Sequence, residues 1–161
     1  MKKTAILCLI FLFAACGRPA AVRFEPERYF TLDFTLETGD YIIEGEIACN
    51  AYDDIRLSFT HPALLSYFTV RYSSDGYLTD VAGAGDAIAA RQVPTLAPIR
   101  VFCEAVRAAV FTQTPFTLSD AGDYETAVAV GNVNVTVTFG QDGMLRRIEC
   151  QESKLWVTFK S

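Results

Sequence analysis

Between residues 29 and 159 apolar and polar side chains alternate with period two, in short runs separated by turn signals, and one stretch alone changes to a helical period. That pattern confines the chain to strands with one buried and one wet face, since successive side chains on a strand point to opposite sides. Phe30, Leu32, Phe34 and Leu36 alternate with Thr31, Asp33, Thr35 and Glu37, and Gly39-Asp40 then turns the chain. Tyr41, Ile43, Ile47 and Cys49 share the next inward parity, with Glu44 and Glu46 on the other side. Ile55, Leu57 and Phe59 follow after Asp53-Asp54, and His61-Pro62 stops this third strand because proline has no N–H for a ladder. Phe68, Val70 and Tyr72 lead into an Asp75-Gly76 hairpin and return through Tyr77, Thr79 and Val81. Four more runs, at 124–130, 133–139, 144–150 and 155–159, have turns at Gly131-Asn132 and Asp142-Gly143. Connections this short join antiparallel strands.

The helical stretch is 98–111, where Ile99, Phe102, Cys103, Val106, Ala109 and Val110 form one stripe, Arg100, Glu104 and Arg107 lie opposite, and Pro98 suits a first turn. The expected class is α+β, an antiparallel sheet of about nine strands grouped five then four, with one helix. Nine strands at roughly 4.8 Å each make a sheet some 43 Å wide. A helix covers a ribbon of only about 10 Å, so the sheet must curl around it as a half-barrel or find other cover. Residues 82–97, a patternless connection carrying Ile88, Val93 and Leu96, are either that cover or a surface crossing.

The amino terminus has a separate role. Met1-Lys2-Lys3 precedes twelve residues, 4–15, that are almost wholly apolar, and then comes Cys16-Gly17-Arg18-Pro19. Twelve residues rise about 18 Å as a helix, short of the roughly 30 Å hydrocarbon core, so the segment reads as a secretory leader. Phe13-Ala14-Ala15-Cys16 resembles the lipobox of bacterial lipoproteins, although leucine is usual where Phe13 stands. The resemblance implies cleavage between Ala15 and Cys16, lipidation of Cys16, and attachment to the extracytoplasmic face of a membrane. An ordinary secretory leader is the alternative. Residues 16–28 then read as a tether and 29–161 as a single domain.

The stretch DDIRLSFTHPALLSYFTVRYSSDG, from Asp53 to Gly76, together with the order of elements over residues 29–160, is similar to the lipoprotein-carrier (LolA-like) half-barrel family. This resemblance implies an incomplete barrel around a helical plug and an apolar concavity that takes lipid or acyl chains. It brings no catalytic residues, and the long amino-terminal helix of the carriers is lacking here.

With Lys+Arg 14, Asp+Glu 19 and a net charge of −5, the chain has no basic face for phosphate, and nucleic acid is not an expected partner. No catalytic site, metal site or cofactor is expected: the single histidine, His61, precedes a proline at a strand end with no nucleophile in recognisable spacing. Without Cys8 of the leader and the lipidated Cys16, Cys49, Cys103 and Cys150 remain on inward positions; they are either buried small hydrophobes or, for Cys49 and Cys150, a candidate disulfide. Phe34, Phe59, Phe68, Phe102, Val106 and Phe139 are the candidate lining of an apolar pocket between sheet and helix, and the same residues could instead fill it. Two functions stay open: binding of an apolar ligand in that concavity, or protein interaction within a cell-envelope complex by a domain with a filled core.

Overall fold

The computed structural model describes residues 23–50, 54–73, 76–81 and 97–160. Among the described residues the strands are β1 (Phe30–Thr38), β2 (Tyr41–Asn50), β3 (Asp54–His61), β4 (Phe68–Ser73), β5 (Gly76–Val81), β6 (Thr117–Leu118), β7 (Tyr124–Val130), β8 (Val133–Phe139), β9 (Leu145–Cys150) and β10 (Leu155–Lys160), with one α-helix, α1 (Ala97–Phe111), between β5 and β6. They form a single sheet in the order β5-β4-β3-β2-β1-β10-β9-β8-β7-β6, antiparallel at every pairing. The sheet is open and curled, not closed. Two consecutive meanders meet where β1 pairs with β10, so the first and last strands zip the halves together at the centre.

The expected α+β class is observed, with ten strands where nine were read. The additional one, β6, is a two-residue pairing of Thr117 and Leu118 with Glu125 and Tyr124, too short to carry a period. Pro62 does end β3.

The alternation maps directly onto burial. Phe30, Leu32, Phe34 and Leu36 are buried on β1 while Thr31 and Asp33 are exposed, and β10 repeats the pattern with Leu155, Val157 and Phe159. Every residue of the helical stripe is buried, with Ala105 added. Phe102 is the central contact: its ring meets Phe34 at 5.2 Å and Phe159 at 5.9 Å between centroids, joining α1 to both strands at the seam. Sheet and helix thus close over one core.

Gly45 opposes Phe34 on one side and Phe59 on the other, at an irregularity in the β2–β3 register. A Cβ there would stand 2.1 Å from the Ser58 carbonyl oxygen and 3.1 Å from the Phe34 ring. Its absence lets Phe34 and Phe59 meet edge to face across β2, their centroids 6.2 Å apart.

The domain begins before residue 29. Phe24 stacks on Tyr124, with centroids 4.0 Å apart and planes at 18°, and it meets Phe116 edge-on at 4.9 Å. The Glu27 N–H donates to the Gly143 carbonyl at 3.0 Å. Residues 24–27, expected as free tether, are docked on the β8–β9 turn because an aromatic anchor and a backbone hydrogen bond hold them there. The segment 82–96, and with it the question of a cover, lies outside the described residues, as do Cys16 and the leader.

Candidate functional site

Among the described residues, the six expected to line a pocket between sheet and helix line neither of the two clefts found there. Phe34, Phe59, Phe102, Val106 and Phe139 are buried in the core, and Phe68 packs against it half-buried. The aromatic contacts of Phe34, Phe102 and Phe159, and of Phe24, Phe116 and Phe139, fill the space a ligand would need. Among the described residues, the buried stripe of α1 and the inward side chains of the strands belong to one packed cluster.

Open space lies at one end of the half-barrel. Thr38, Gly39, Asp40, Tyr41, Ile42 and Ile43 of the β1–β2 hairpin, Pro62, Leu64 and Leu65 after β3, Pro98 and Ile99 of α1, and Ser153 and Lys154 of the β9–β10 turn surround a cavity of about 700 Å³. Ligand pockets fall in the range of roughly 300–1,000 Å³ and are mostly apolar with a few polar groups. This one has Ile43 and Ile99 buried at its base, Tyr41, Ile42 and Leu64 exposed at its rim, and Asp40 and Lys154 as its charged groups. Lys154 is the one non-glycine with positive φ among the described residues, at 50°. The turn that presents its side chain therefore adopts the left-handed conformation that most residues avoid.

The geometry follows from where strands end. Tyr41 has the same parity as Ile43 and Ile47 but is 74% exposed where Ile43 is 8% exposed, because β2 runs on past the cover that the helix gives. Leu65 begins a single 3-10 turn, Leu65–Tyr67, that follows the cis His61–Pro62 peptide and carries the chain from β3 to β4. Two signals in the sequence mark this place. Tyr41-Ile42-Ile43 puts three apolar residues in a row where alternation calls for a polar one, and Leu64-Leu65 stands beside a turn.

A second, polar cleft of about 510 Å³ lies between Asn134, Thr136, Glu149, Gln151 and Glu152. Its two carboxylates and three neutral polar groups suit no apolar ligand.

The candidate disulfide is not formed: Cys49, Cys103 and Cys150 are all buried thiols. Register gives the reason. Cys49 lies opposite Phe30 at the start of β1, whereas Cys150 lies opposite Leu155, which lies opposite Thr38 at its end. Eight residue steps separate the two levels, about 27 Å along the strand, and a disulfide needs Cα atoms within about 7 Å. Burial, with Glu104 adjacent, pushes the Cys103 thiol far above its ordinary range, so the neutral and unreactive form prevails.

His61 is exposed and stands across from Glu44 in the sheet register. No group of three His, Cys, Asp or Glu side chains converges among the described residues. On the outer face Arg71 donates two hydrogen bonds, from Nε and Nη2, to the Asp54 carboxylate, both 2.8 Å. That pairing holds the Asp54 carboxyl below the usual carboxylate range and braces β3 against β4. Glu44 and Glu46 are exposed on the outer face of β2, and Trp156 is 40% exposed on that of β10. No helix of the described residues is long and apolar enough to cross a membrane. Compared with known proteins, the chain matches no family model and no curated protein.

Proposed function

We propose that this chain is a lipid-anchored protein of the extracytoplasmic membrane face, and that it binds an apolar ligand, such as a single acyl chain, at the open end of its half-barrel. The observation that carries this reading is the cavity of about 700 Å³ among Tyr41, Ile43, Leu64, Leu65, Pro98 and Ile99. The anchor is inferred from Phe13-Ala14-Ala15-Cys16, and the element order supports kinship with the lipoprotein-carrier half-barrels. No chemical step belongs to this function. The site offers apolar contact area, with Asp40 and Lys154 available to orient a polar head.

The test uses the mature chain from residue 16 with Cys16→Ser, titrated with a fluorescent fatty acid. Saturable one-to-one binding, lost in Ile99→Asp and weakened in Leu64→Asp, is the expected outcome. Binding unaffected by either substitution places the ligand elsewhere. The anchor is tested separately in cells, where Cys16→Ser should move the protein from the membrane to the soluble fraction.

A protein-interaction module is the second reading, favoured by the filled concavity and the exposed rim of Tyr41, Ile42 and Leu64. In that case the fatty acid does not bind, and the same Leu64→Asp change disrupts a complex with an envelope protein.

A further inference from the structure

The cavity at the open end is apolar at its base and carries two opposite charges at its mouth. Thr38 pairs with Tyr41 on one side and with Leu155 on the other, so the Gly39–Asp40 turn and the turn that ends at Lys154 stand side by side at the end of β1. Adjacent strands lie about 4.8 Å apart. Asp40 and Lys154 both line the cavity, and among the described residues neither side chain has an ion-pair partner. Asp54 with Arg71 and Glu104 with Arg100, by contrast, are joined. The mouth therefore presents its two charges separately, beside the hydroxyl groups of Thr38, Tyr41 and Ser153.

Lys154 is held there against its backbone preference. Its φ of 50° is in the left-handed region, which glycine enters freely and a residue with a Cβ avoids. The turns at Gly39, Gly131 and Gly143 each place glycine at their positive-φ position. Among the described residues the β9–β10 turn alone puts a long cationic side chain at such a position, and that side chain lines the cavity. Backbone outliers of this kind cluster where a side chain must be presented to a ligand.

We propose that the cavity selects a single-chain amphiphile whose head carries an ammonium and an anionic group a few atoms apart, Lys154 taking the phosphate or carboxylate and Asp40 the ammonium. This deepens the ligand-binding reading above and rests on it. The chain lies at the base, against Ile43, Leu65 and Ile99. The head stays at the mouth, where each charge meets its complement and the hydroxyl groups supply further hydrogen bonds. A fatty acid satisfies Lys154 but sets its carboxylate beside Asp40, and an alkylamine does the reverse. Each exchanges one attraction for one repulsion. A neutral glycerol head leaves both protein charges without a complement.

The test displaces the fluorescent fatty acid from the Cys16→Ser chain with competitors of one chain length, each below its micellar concentration. They are palmitoyl lysophosphatidylethanolamine, Nε-palmitoyl-lysine, palmitate, hexadecylamine and monopalmitoylglycerol. The two zwitterions should compete about three- to fivefold more strongly than the other three, the gain that one partly exposed charge contact supplies. Whichever zwitterion leads identifies phosphate or carboxylate as the anionic group. Lys154→Glu should turn the preference toward hexadecylamine, and Asp40→Lys toward palmitate. Lys154→Gly should raise the melting temperature, because glycine accepts the positive φ, and should abolish the zwitterion preference; a lysine present for folding alone would give no such exchange of selectivity for stability. Equal competition by all five amphiphiles overturns the head-group assignment and leaves the cavity reading standing, and so does a zwitterion preference that survives both charge reversals. If the fluorescent fatty acid itself does not bind, and no competitor raises the melting temperature, the cavity reading fails and this inference fails with it.

Discussion

One end of the half-barrel is shut and the other is open, although both are built from the same strands. At the shut end Phe24, arriving from outside the sheet, is half-buried in a cluster with Phe116, Tyr124 and Phe139. At the open end Tyr41, Ile42 and Leu64 stand 53–74% exposed around a cavity. Alternation places apolar side chains on the inner face all along a strand, but burial at an end needs a further piece of chain to cap it. The difference shows that an amphipathic pattern announces the wish for burial, and cover decides whether it is met.

Four substitutions break or sharpen that contrast. The largest effect belongs to the core common to both ends. Phe102→Ala removes a fully buried ring with two aromatic partners and should cost about 3–5 kcal/mol in urea melts. A loss under about 1 kcal/mol would mean that the helix does not plug the sheet. Gly45→Ala comes next, at about 1–3 kcal/mol, since the new methyl meets the Ser58 carbonyl and the Phe34 ring; thermal melts measure it, and a neutral result would show that β2 and β3 can separate freely at the register shift.

Phe24→Ala reopens the shut end. Loss of the stacked and edge-on contacts should lower stability by about 1–2 kcal/mol and speed amide hydrogen exchange at Glu27, whose N–H is bonded to Gly143. Unchanged exchange at Glu27 would show that the segment is held by its backbone alone. The smallest effect on stability is expected at the open end, where Leu64→Asp should stay within about 0.5 kcal/mol of wild type because the side chain is already 74% exposed. The same change should weaken binding of an apolar dye. A large destabilisation there would mean that the rim is buried in solution.

The outer-face pair Asp54–Arg71 gives the expected sign of the acid response. The Asp54 carboxyl titrates lower in the folded chain than unfolded, so its contribution is present above the ordinary carboxylate range and fades as pH falls through the lowered value. The effect is small because Arg71 is well exposed to solvent.

Much of the fold was legible in the residues because strand and helix periods are local. Phe30, Leu32, Phe34 and Leu36 declare β1 without reference to any other strand, and Ile99, Phe102, Cys103 and Val106 declare the buried face of α1. The candidate site was far less legible. Phe34, Phe59, Phe102, Val106 and Phe139 were read correctly as inward-facing, but whether inward side chains line a void or fill it depends on how three separated elements fit together. The Cys49–Cys150 pairing failed for a related reason: parity reports the face of a residue and is silent about its level along the sheet, which register alone sets.

The sequence by itself determined the strands, the helix, the turns that join them and the side of each strand that seeks burial, because those follow from backbone geometry and from neighbours a few residues away. Only the tertiary structure decided that β1 and β10 meet at the centre, that Phe24 closes one end, and that Tyr41, Leu64 and Ile99, far apart in the chain, surround a cavity at the other. Those outcomes depend on strand order, register and the length of one helix relative to the sheet it covers, and these are quantities of the assembled chain.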